Sequence, residues 1–178
     1  MSANNSISAC HEREFSWIRC EGKGSFLNSP MLKEWCEDEI GSGVTCLVID
    51  LAACKGMDST FMGTMAGLAM RLMKRPNGKL QIAEPGKKNQ KSLEDLGLDV
   101  LMQIDPPDGI WRGDISDIRK KLQPCHHVNG VDKKIDQAPF VLEAHKKLCD
   151  ADERNTEKFG TVLDFLEAEV RAKKSMEK

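Results

Sequence analysis

The chain alternates short apolar runs with stretches of helical apolar spacing, and the clearest such pair lies between Thr45 and Arg75. Thr45-Cys46-Leu47-Val48-Ile49-Asp50-Leu51 is rich in β-branched residues, with Gly41-Ser42-Gly43 before it and Ala52-Ala53-Cys54-Lys55-Gly56 after it. That pattern predicts a strand buried on both faces, followed by a short loop. Asp58, Ser59 and Thr60 each offer an N-cap oxygen just before Met62, Met65, Ala66, Ala69, Leu72 and Met73. The spacing predicts a helix whose N-terminus points at the turn.

The flanking segments extend this unit. Residues 7–10 and 15–21 predict a hairpin around the polar turn His11-Glu12-Arg13-Glu14. Gly22-Lys23-Gly24-Ser25 breaks the second strand as a turn or bulge, and it lacks the GxxxxGK[ST] order that cradles phosphates. Asn28-Ser29-Pro30 opens a helix with an apolar stripe at Met31, Leu32, Trp35, Cys36 and Ile40, and Gly41 stops it. After the turn Pro76-Asn77-Gly78, residues 79–84 predict a strand, 89–96 a helix closed by Gly97, and 100–104 a last strand. The order strand, strand, helix, strand, helix, strand, helix, strand implies an α/β fold, a mixed sheet covered by helices.

Beyond Asp105-Pro106-Pro107-Asp108-Gly109 the pattern weakens. Ile115, Ile118 and Leu122 suggest a short helix capped by Asp114, and residues 124–137 are a polar connector. Residues 139–171 predict one long charged helix with Val141, Leu148, Phe159, Val162, Leu166 and Val170 on its apolar side. Asp152 and Asn155 interrupt its heptad seam and Gly160 weakens it, which favours folding back on the core or meeting a partner over a pure coiled coil. The expected organisation is a domain over 1–122, a linker over 123–138 and a helical extension over 139–178.

Composition narrows the class. Over 178 residues, 40% are hydrophobic and 30% charged, with a formal net charge of −2. That balance suits a folded soluble protein and gives no field for nucleic acid. No run approaches the roughly 20 apolar residues of a membrane span, and the N-terminus lacks a basic stretch followed by an apolar one, so a cytoplasmic protein is expected. Seven cysteines, an odd number without a CxxC pair, read as reduced thiols packed as small apolar residues.

No GxSxG, HExxH or dinucleotide fingerprint appears, so neither an enzyme nor a cofactor is expected. His126-His127 reads as a solvent-exposed loop pair without ligand spacing, and no metal site is expected. His145, on the long predicted helix, is equally well a core-edge residue. Lys87-Lys88 and Lys173-Lys174 lack interleaved aromatics and read as solvated faces. Asp58-Ser59-Thr60 remains, and taken alone it is a helix cap.

The order around that triplet adds to this. Leu47-Val48-Ile49-Asp50-Leu51, a short loop, then Asp58-Ser59-Thr60-Phe61-Met62-Gly63 resembles the signature of STAS domains, the anti-sigma-factor antagonists of bacteria. The element order of residues 7–104 agrees, and the likeness covers about the first 105 to 122 residues. The resemblance implies a STAS-like mixed β-sheet flanked by helices, here with a C-terminal helical extension. It implies a non-enzymatic regulator of transcription in a partner-switching pathway, with Ser59 as the phosphorylated residue. The implied partners are an anti-sigma factor that is also a serine kinase of the histidine-kinase-like ATPase type, and a serine phosphatase. Met57, Asp58, Ser59, Thr60, Phe61 and Met62 form the expected partner-binding surface. Phe61 departs from the glycine usual two places after the phosphoserine, and is expected to expose its ring there. The alternative reading is a scaffold or sensor subunit that self-associates, for instance as a homodimer, through its C-terminal helix.

Overall fold

The computed structural model of the protein describes residues 5–125 and 137–176. β1 (Ser6–His11) and β2 (Ser16–Gly24) pair antiparallel as the predicted hairpin, with Ile7 opposite Cys20 and Ala9 opposite Ile18. β3 (Cys46–Asp50) lies parallel to β2, β5 (Lys79–Ala83) parallel to β3, and β6 (Gln103–Ile104) parallel to β5. β7 (Gln123–Pro124) adds antiparallel to β1, which gives the order β6-β5-β3-β2-β1-β7. The sheet is mixed, as expected. β4 (Cys54–Met57) was not expected: the chain leaves β3 at Asp50 and runs alongside the upper half of β2, past a register shift between Gly22 and Lys23. That shift is the bulge the glycines predicted.

Alternation along the central strands builds two cores. Leu47 and Ile49 of β3, with Ile18 and Cys20 of β2, face one side. There they meet α1 (Ser29–Gly41), α2 (Ser59–Met73) and α3 (Gly86–Asp95), through Leu32, Ile40, Met65, Leu72 and Leu93 among others. Cys46 and Val48 face the other side with Trp17, closed by Trp111 and by Ile118 of α4 (Ile115–Lys120). The two tryptophans meet edge to face at 5.4 Å, and Trp111 Nε1 donates to Gln81 Oε1 at 2.8 Å, so neither indole N–H is stranded.

Two expectations are corrected. The last strand shrinks to β6, because Leu98–Val100 tightens into a 3-10 turn that buries Leu98. The single long helix is two, α5 (Gln137–Ala151) and α6 (Arg154–Met176), which form an antiparallel hairpin. The polar residues that spoiled the heptad seam make the reversal. Asp152 Oδ1 accepts from the Arg154 backbone N–H at 2.9 Å, and buried Asn155 donates to the carbonyls of Leu148 and Leu96 at 2.7 and 2.9 Å. Asn155 thus stitches the tip of the hairpin to the end of α3. Phe159 packs on the main core and Leu166 is buried with Ala138 and Leu142, while Val162 and Phe165 of α6 are exposed.

Asp50 closes the end of β3. It is fully buried and accepts from Trp17 Nε1, Arg19, Nε and Nη2 of Arg119 and the Ala52 N–H, all at 3.0–3.2 Å. The carboxylate holds Arg119 above its usual range. Asp50→Ala strands these donors and should cost about 3–5 kcal/mol in a urea melt. A loss below about 0.5 kcal/mol, typical of a surface change, would contradict this account of the network.

Candidate functional site

The N-terminus of α2 is held by one carboxylate. Asp58 has extended backbone and is the N-cap, its Oδ1 accepting from the Phe61 N–H at 2.8 Å. Its Oδ2 accepts from the Phe26 N–H at 2.9 Å, and its own N–H donates to the Gly24 carbonyl at 2.9 Å. Both oxygens are therefore used: one starts the helix, and the other fixes the loop after β2 against it. That loop exposes Phe26 and Leu27 beside the cap.

Ser59, the first residue of α2, is half-buried and does not cap. Its hydroxyl lies 2.9 Å from Nε2 of His145 on α5. The other ring nitrogen, Nδ1, lies 2.7 Å from the Val141 carbonyl. A carbonyl oxygen can only accept, so Nδ1 carries a proton, and in the neutral ring Nε2 is left to accept from the Ser59 hydroxyl. The imidazole is 4% exposed, with the Phe159 ring packed against it edge to face at 5.1 Å. Both helices of the hairpin thus fix the group that holds Ser59. His145 was missed as a partner of Ser59 because 86 positions separate them and no motif links them.

The six residues of the expected surface separate by depth. Met57, Asp58 and Ser59 are half-buried, whereas Thr60, Phe61 and Met62 are buried. For Phe61 this corrects the expectation of an exposed ring. Three places after the cap, its side chain turns in toward the sheet and lies across Gly24, where an added Cβ would come within 2.8 Å of the ring. Thr60 is also buried away from the surface, and Met62 belongs to the core. Phe26 and Leu27 escaped the sequence reading. Their one signal is a pair of apolar residues in a polar loop directly before a helix cap.

The remaining chemistry is sparse. Burial pushes the thiols of Cys10 and Cys125 up to about 11, and the hydrogen bond with Cys54 together with burial raises that of Cys20. These thiols stay protonated near neutral pH. Among the described residues, no three His, Cys, Asp or Glu side chains gather as a metal site, and no helix is long and apolar enough to cross a membrane. His126-His127 lies outside the described residues, as does most of the predicted linker.

Residues 6–107, 102 of the 178 positions, match the family model of the STAS domain. Among solved structures, the chain is similar to a Thermotoga maritima protein provisionally described as an anti-sigma factor antagonist. Identity is 18% and TM-score 0.52, with 62% of this chain and 92% of that one covered. It is also similar to an anti-sigma factor antagonist from Mycobacterium paratuberculosis, at 20% identity and TM-score 0.51, with 67% of this chain and 99% of that one covered. At these identities the likeness is one of fold. No curated protein matches the chain.

Phe61→Ala should cost about 3–5 kcal/mol in denaturant unfolding, as for other buried rings. Asp58→Ala should cost only about 0.5–2 kcal/mol, as the loss of a cap. The reverse order would contradict the depths assigned to these two side chains.

Proposed function

This chain belongs to the STAS domain family, and from that membership we propose that it is a non-enzymatic regulatory binding protein, an antagonist of an anti-sigma factor, switched by phosphorylation of Ser59. The observation that carries the reading is the place of Ser59 as first residue of α2, directly after the Asp58 cap. The first-turn N–H groups lack helical partners and the helix dipole is positive there, so a phosphate is tolerated without unfolding the domain. What changes is the surface. A phosphate adds about −1.5 to −2 charges and hydrated bulk beside the carboxylate of Asp58, which opposes an interface built for a neutral hydroxyl.

In this reading the unmodified face, with Met57 and Ser59 flanked by exposed Leu27, binds an anti-sigma factor that is also the kinase. A serine phosphatase restores it, and the cycle runs in the cytoplasm. The structural neighbours described as anti-sigma factor antagonists support the partner class. One observation favours the rival scaffold reading: Val162 and Phe165, one turn apart on α6, are 41% and 69% exposed, and light scattering across concentration tests self-association through them.

Substitutions at Ser59 should divide by charge. Ser59→Ala leaves the surface neutral, so modification disappears while binding to a serine-kinase anti-sigma factor from the native host persists. Ser59→Asp adds charge at the helix N-terminus and should weaken that affinity at least about tenfold, or ~1.4 kcal/mol, with folding kept. Calorimetric titration with thermal melts on the same proteins checks both. Equal affinity for the aspartate variant would mean that charge at this position does not gate the interface. A phosphate mapped to Thr60 in peptides from the native host would move the switch by one residue.

A further inference from the structure

The face of α2 that presents Ser59 is already occupied. Ser59, Gly63 and Gly67 stand four residues apart and share one side of the helix. α5 lies along that side. A Cβ at Gly63 would run into the Ala144 backbone carbonyl, and one at Gly67 would touch the Lys147 side chain at 3.4 Å. The absence of side chains at these two positions lets the α5 backbone settle directly on α2. One turn back along the same seam, His145 reaches Ser59.

We propose that the α5–α6 hairpin is an intramolecular cap on the Ser59 face, latched by the Ser59–His145 hydrogen bond, and that it must leave before the serine is phosphorylated or a partner is bound. This rests on the reading of Ser59 as the modified residue. Phosphorylation requires Ser59 Oγ to bond to the γ-phosphorus of a nucleoside triphosphate in the kinase. The bond from that phosphorus to the β-phosphate oxygen breaks, the diphosphate leaves, and the hydroxyl proton passes to a base. In-line approach needs open space at Oγ. Here one side of Oγ holds the imidazole at 2.9 Å, so the docked hairpin obstructs a kinase that comes from the α5 side. Docking and modification therefore compete, and by linkage whatever releases the hairpin favours the phosphate, as the phosphate favours release.

The hairpin has a small core of its own. Ala138 and Leu142 of α5 and Leu166 of α6 form a cluster of their own, separate from the two sheet cores. Along one edge of the seam, from Gly63 onward, the packing opens. A cavity of about 210 Å3 separates α5 from α1 and α2, with Lys33, Glu37, Arg71, Lys74, Glu143 and Lys147 on its walls. The ion pair that crosses it, Lys33–Glu143 at 3.3 Å, is solvent-exposed, and such pairs hold weakly. The hairpin also reaches the main core through Leu148 and Phe159, and Asn155 ties its tip to the Leu96 carbonyl.

Gly63→Leu tests this on the full chain without touching Ser59 or His145. The added side chain should wedge α5 off α2, and Gly63→Ala, a better helix former than glycine, provides a milder wedge that spares the fold. Hydrogen exchange of residues 137–151 reports release. Incorporation of phosphate at Ser59 from ATP in an extract of the native host, followed by peptide mass spectrometry, reports access. Because a kinase that needs the open form is slowed by the closed fraction, release should raise the rate at least about tenfold, with His145→Ala giving a smaller rise. Released α5 with Ser59 modified at the wild-type rate would overturn the cap and leave the proposed function standing. Failure of both wedges to release α5 would overturn the docking geometry on which the cap depends. Released α5 with no phosphate at Ser59 in any variant would instead overturn the proposed function, and the cap with it.

Discussion

The approach of α5 to α2 at Gly63 is the constraint on which the functional face depends. Any side chain there would meet the Ala144 carbonyl, so the register of α5 along α2 is set by backbone against backbone. That register brings His145 onto Ser59, and Phe159 of α6 then fixes the ring in place. A slide of one residue, about 1.5 Å of rise with a turn of the helix surface, would carry the imidazole away from the hydroxyl. The latch is thus a consequence of helix packing, while the packing relies on much more than one hydrogen bond, whose net contribution is about 1 kcal/mol.

Asp50 gathers two arginines, a tryptophan and a backbone N–H at the end of β3, and the two cores cover both faces of the central strands. The Asp58 carboxylate joins α2 to the loop after β2, and the Phe61 ring fills the space above Gly24. The domain and the hairpin meet along the Gly63 side of α2, at Leu148 and Phe159, and at the Asn155–Leu96 bond. The switch proposed here needs a fold that stays as it was, because in that reading the phosphate acts only by changing which surface is available.

How much of this was legible in the sequence follows from the range of each interaction. β3 and α2 were legible because their signals are local: a β-branched run, then apolar residues at helical spacing after an Asp-Ser-Thr triplet. β4 was not, since Cys-Lys-Gly-Met has no alternation and is a strand only because the bulged half of β2 offers it an edge. Asp152 and Asn155 were visible as breaks in a heptad but not as a reversal, because the partner that fixes the tip, the Leu96 carbonyl, lies 59 positions away. The Phe61 error has the same origin: whether a first-turn ring points out or in depends on a glycine in another strand. Ser59 stood out through its resemblance to a family pattern, and His145, the residue that touches it, only as a residue at the edge of the core.

The most direct test of the account is hydrogen exchange on the full chain carrying phosphoserine at position 59, introduced during translation so that no kinase is needed. The account predicts that α2 and the sheet keep their protection while residues 137–151 exchange as an undocked helix. Unchanged protection of α5, with the phosphate confirmed at Ser59 by mass, would contradict it.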